Sequence, residues 1–109
     1  MHEDDPRLAE ELAALKATFC ERLTEDIAAF RALLAQPIQP PPLTDLCALS
    51  GRAHRLAGAA GSFGEAALSV ASVCFEKLCE EGGAAELTQA LSDLALESER
   101  VLKISRKAD

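Results

Sequence analysis

The chain has 109 residues, with 11 Lys and Arg against 18 Asp and Glu, a formal charge of −7. That length suits one domain, and 49% apolar residues are enough for one core and too many for a disordered chain. The acidic balance excludes broad nucleic-acid binding, which needs basic patches, and 4% aromatics with no Trp or Tyr are too few for base stacking. No apolar run approaches the roughly 18 residues of a membrane span, and the acidic start Met1–Asp5 is unlike a secretory signal, so a cytoplasmic protein is expected. Cys20, Cys47, Cys74 and Cys79 form no CxxC pair and read as free thiols, with neither a metal site nor a cofactor expected.

The first helix signal is Asp5-Pro6, a side chain that caps free N–H groups followed by a residue suited to the first helical position. Leu8, Leu12, Leu15, Phe19, Leu23, Ile27, Phe30 and Leu34 then recur every three or four residues, which predicts one inward stripe on a helix over about 6–35. Pro37, Pro40, Pro41 and Pro42 cannot continue it and mark a connector over 36–42. A second helix is predicted over 43–62, with Leu46, Leu49, Ala53, Leu56, Ala60 and Phe63 inward and Gly64 as terminator. A third follows over 65–81, with Leu68, Ala71, Phe75 and Leu78 inward, closed by Gly82-Gly83. The fourth covers 84–105 through Leu87, Leu91, Leu94, Ser98 and Val101. Four amphipathic helices with short connections predict an all-α, antiparallel four-helix bundle forming a single domain over 1–109.

Two histidines are present. His2 lies in the acidic terminus and carries no role. His54 points about 130° away from the apolar stripe of its own helix. It shares a face with Cys47, Gly51, Gly58 and Gly61. Each interior Gly costs a helix about 0.5–1 kcal/mol relative to Ala, so three on one face call for a reason. One is access, because an imidazole without neighbours can be approached by another protein. The other is close packing of this helix against a second one through small residues. Leu46 to Gly64 also holds no Asp or Glu, and Arg52 and Arg55 bracket His54, an arrangement that favours an arriving anion. Histidine is nucleophilic near neutral pH and can form a covalent phosphoramidate. No GxxxxGK[ST] and no GxGxxG accompanies it, so a phosphoryl group would have to come from another protein and no autonomous kinase activity is expected.

The run His54-Arg55-Leu56-Ala57-Gly58-Ala59-Ala60-Gly61-Ser62-Phe63-Gly64 resembles the signature of the histidine phosphotransfer (HPt) domain, roughly His-x-Leu-Lys-Gly-x-Ala-x-x-hydrophobic-Gly. The likeness continues through Leu68, Ala71 and Phe75-Glu76, which is similar to the family's Leu-Glu pair. The resemblance implies a phosphorelay intermediate with His54 as phosphoacceptor. Its partners would be receiver domains of response regulators or hybrid histidine kinases, and Gly58 would let a receiver approach. Cys47, Gly51 and Gly61 would line the same surface. The family's Lys three residues after the histidine is replaced by Ala57, which leaves Arg55 or Lys77 to offset the phosphoryl charge. A helical module that binds receivers or kinases without transfer is the alternative, and a bundle that serves only dimerisation is a third reading.

Overall fold

The computed structural model describes residues 6–107, so Asp5 and His2 lie outside the described residues. The helices are α1 (Pro6–Leu34), α2 (Leu43–Cys47), α3 (Ser50–Ser62), α4 (Ala66–Glu81) and α5 (Ala84–Lys107), with no strand among the described residues. α1, α3, α4 and α5 form the predicted antiparallel bundle. The cross-helix contacts give the directions. Asp26 meets Arg52 while Phe19 meets Phe63, and His54 meets Glu76 while Ala57 meets Ser69.

The core is an aliphatic and phenylalanine interior. Leu23, Phe30, Leu46, Ala53, Ala60, Leu68, Phe75, Leu87, Leu91, Leu94 and Val101 are fully buried. Ser72 and Ser98 are buried with them. Each donates its hydroxyl to a carbonyl one turn back, Leu68 O at 2.8 Å and Leu94 O at 2.7 Å. This satisfies the buried hydroxyls within their own helices. In the proline-rich connector, Gln39 donates its amide to the carbonyls of Leu33, Leu34 and Gln36. Leu33 and Leu34 belong to the last turn of α1, whose carbonyls have no partner within the helix.

Three expectations are corrected. The helix predicted over 43–62 breaks at Ala48-Leu49, where the Leu49 N–H bonds Leu46 O three residues back instead of four. Ser50 and Gly51 follow at once, and both are poor residues for a helix interior, so nothing local carries α2 straight into α3. The stripe of α1 is inward only from Phe19 onward; Leu8, Leu12 and Leu15 are exposed. α1 has 29 residues, about 43 Å. The pairing of Arg31 with Glu99 sets α5 against its C-terminal half, so α5 ends before reaching the first turns of α1. Phe63, predicted inward, is 38% exposed and stacks on Phe19 with ring centroids 4.9 Å apart. The remaining boundaries shift by one or two residues.

α3 ends as predicted around Gly64, which has φ +74°. The Gly64 N–H bonds Gly61 O and the Glu65 N–H bonds Ala60 O, a paired closure that needs a left-handed residue at this point. The turn brings α4 back along α3 within three residues.

Candidate functional site

His54 projects from the solvent side of α3 with its side chain 75% exposed. Its Nδ1 lies 2.8 Å from Oε2 of Glu76 on α4. A carboxylate can only accept, so Nδ1 carries the hydrogen and donates it. The ring is thereby held in one tautomer and orientation, with the lone pair on Nε2. The strip that is free of acids in sequence is therefore not free of them in space, because α4 supplies one carboxylate directly beside the imidazole.

The α3 glycines resolve the choice between access and internal packing. A Cβ at Gly58 would meet nothing within 4 Å. At Gly61 its nearest contact would be Ser69 Oγ at 3.9 Å, and at Gly51 Arg55 Nη1 at 3.6 Å, both ordinary separations. No helix neighbour requires a glycine at these three positions. All three are exposed, and Gly58 and Gly61 leave the face of α3 that follows His54 bare. Close packing of α3 on α4 is achieved elsewhere, where Ser69 Oγ donates to Ala57 O at 3.0 Å.

Cys47 does not stand on this surface. The break at Ala48-Leu49 separates it from α3, and its thiol, half-buried, donates to the carbonyl oxygen of Cys79 at 3.5 Å. Burial first, and then its hydrogen bond with Cys47, pushes the Cys79 thiol up to about 12. Cys79 is therefore protonated at neutral pH, and its contact with Cys47 packs α2 on α4.

Arg52 turns away from His54, toward α1, and donates to Asp26 Oδ1 at 2.9 Å. Burial raises the Asp26 carboxyl, with Arg52 opposing that rise. Arg55 is exposed and lays its guanidinium back over Gly51, one turn before His54. Lys77 is exposed beside Glu76. Neither Arg55 nor Lys77 is in an ion pair among the described residues.

Two residues at this site were not singled out from sequence. Glu76 was legible only as part of a resemblance, since nothing local shows that α4 aims it at His54. Val73 stands three residues before Glu76 on the same face of α4 and is 50% exposed. Its signal was an apolar residue off the Leu68–Phe75 stripe.

A family model, Hpt domain, matches residues 6–105, nearly the whole chain. The chain belongs to the Hpt domain family, the phosphocarrier modules of histidine phosphotransfer relays, which engage receiver domains and kinases. Comparison with curated proteins and with solved structures finds no match.

Proposed function

We propose that this chain is a cytoplasmic phosphorelay intermediate that accepts a phosphoryl group from a receiver-domain aspartate on His54 and passes it to another receiver. The observation that carries this reading is an exposed imidazole, oriented through Nδ1 by Glu76 and set beside the open surface at Gly58. The Nε2 lone pair attacks phosphorus. The bond from phosphorus to the aspartyl oxygen breaks, and the receiver's carboxylate leaves with that electron pair. The ring, now bonded to phosphorus at Nε2 and still protonated at Nδ1, is cationic, and the Glu76 carboxylate stabilises it. Onward transfer is the same step reversed toward a second aspartate.

Gly51, Gly58, Gly61 and Val73 form the surface on which a receiver docks. Arg55 offsets phosphoryl charge in place of the family's lysine, which here is Ala57, and Lys77 is the second candidate for that task. Cys47 supports the far end of the surface by packing α2.

The test is incubation of the chain with receiver domains carrying labelled aspartyl phosphate. Wild type should take up acid-labile label, and His54→Gln should take up none, with a stability change of at most about 0.5 kcal/mol because the side chain is exposed. Equal labelling of the variant would overturn the assignment to His54. Binding of receivers without labelling of wild type would favour the non-transferring interaction module instead.

A further inference from the structure

The first three turns of α1 form an arm that no other described helix covers. Leu8, Leu12 and Leu15 are 43%, 55% and 58% exposed, and they share one face with Phe19. An isolated helix of this length, under about 15 residues, is marginal in water, and a leucine stripe left in solvent marks a contact surface. At the root of the arm, on the same face, lies a cleft of about 390 Å³ between α1 and α3. Leu15, Phe19, Leu56 and Phe63 form its apolar part, and Arg22, Arg52 and Arg55 outnumber Glu25 and Asp26 among its charged residues.

We propose that this arm and cleft are one self-complementary docking surface, and that its occupant is a second copy of this chain packed antiparallel. This goes beyond the proposed phosphotransfer and does not rest on it. The spacing of Leu8, Leu12, Leu15 and Phe19 is four, three, four, which reads the same in both directions. An inverted copy therefore sets Leu12 against the other Leu15 and brings Leu8 to the other Phe63, 38% exposed over the buried Phe19, in two equivalent halves, as a two-fold interface requires. A parallel copy is blocked, because the same face runs on into Leu23 and Phe30 and is already covered there by the chain's own core. An inverted copy leads away from that obstacle and delivers the start of its arm to the cleft. Charge agrees with this direction. The described part of the arm carries Glu10 and Glu11 against Arg7, and the cleft it approaches holds Arg22, Arg52 and Arg55 against Glu25 and Asp26. His54 is not among the cleft residues, so each copy keeps its imidazole open.

The test is sedimentation equilibrium of the full chain from micromolar to millimolar concentration, with small-angle scattering on the same samples. A concentration-dependent dimer is expected. Leu12→Glu, on an exposed position that leaves the fold intact, should weaken self-association by about tenfold or more. Leu96→Glu, equally exposed on α5, should leave it unchanged. The dimer should be much longer than the 54 Å of one chain, since the two bodies overlap only along the arms. A monomer at every concentration, a dimer indifferent to Leu12→Glu or broken by Leu96→Glu, or a side-by-side dimer of unchanged length would each overturn the proposal.

Discussion

α3 has two flanks built on opposite principles. Toward α4 it presents small residues, so the two backbones run close, and a serine hydroxyl reaches directly from one helix to the other's carbonyl at Ala57. The contact made across that flank, His54 with Glu76, is correspondingly short and fixed. Toward α1 the spacing is wide and is bridged by long side chains, Arg52 to Asp26 and Phe63 to Phe19, with a cleft left between them. A reacting group needs a rigid neighbour to hold its tautomer, whereas a surface that receives another protein segment needs room. One helix provides both because its small residues and its arginines occupy different sides.

The comparison can be broken at the close flank first. Glu76→Gln keeps an oxygen that accepts from Nδ1 but removes the negative charge. Phosphoryl acceptance should fall by about tenfold, the share of a charge-assisted hydrogen bond that develops with the imidazolium. Single-turnover labelling measures it, and an unchanged rate would show that Glu76 only orients the ring. Next, Gly58→Gln should weaken receiver affinity severalfold while raising stability by about 0.5–1 kcal/mol, since leaving glycine favours the helix and nothing within 4 Å opposes the new side chain. Calorimetric titration with a receiver and thermal unfolding separate the two effects. Equal affinity would mean that the bare surface is not where receivers dock.

On the arginine side the expected effects are smaller. Arg55→Ala should slow acceptance about two- to fivefold at low salt, and Ala57→Lys should restore or exceed the wild-type rate, because an exposed charge beside a phosphoryl group is worth about 0.3–1 kcal/mol. The difference should fade as ionic strength rises. An unchanged rate for Arg55→Ala at low salt would leave charge neutralisation to the receiver. The smallest effect lies away from α3, at the pair joining α1 to α5. The hydrogen bond from Arg31 holds the Glu99 carboxyl below its ordinary value. The unfolded chain therefore binds more protons through that range, so the pair's contribution is present at neutral pH and is lost as pH falls through the lowered value. Glu99→Gln should flatten that acid limb and change neutral stability by less than about 1 kcal/mol, because both side chains are about 40% exposed. Urea unfolding at a series of pH values checks it.

The helices, their order and the outward phase of His54 were legible in the sequence because each follows from spacing within one segment. Three features were not. The break at Ala48-Leu49 is a change of one hydrogen bond, with no proline or glycine at the break to announce it. The exposure of Leu8, Leu12 and Leu15 depends on where α5 stops, and a stripe records only that a helix has an apolar side, not that anything lies against it. Glu76 reaches His54 through the α3–α4 turn, so its partner is set by the geometry at Gly64 and by nothing beside either residue.

That turn has a consequence for how the site is assembled. His54 and Glu76 are separated by 22 residues, and Ala57 and Ser69 by 12, so both contacts close inside one hairpin. The entropy lost in closing a loop grows only with the logarithm of its length, and these are among the shortest loops that this topology allows between helices. The contact of His54 with Glu76 is therefore topologically undemanding, made by neighbours along the polypeptide. The remote pairing of α1 with α5, spanning 68 residues between Arg31 and Glu99, is the demanding one. A partner pulling on α1 can loosen that outer closure while the hairpin carrying the imidazole stays whole.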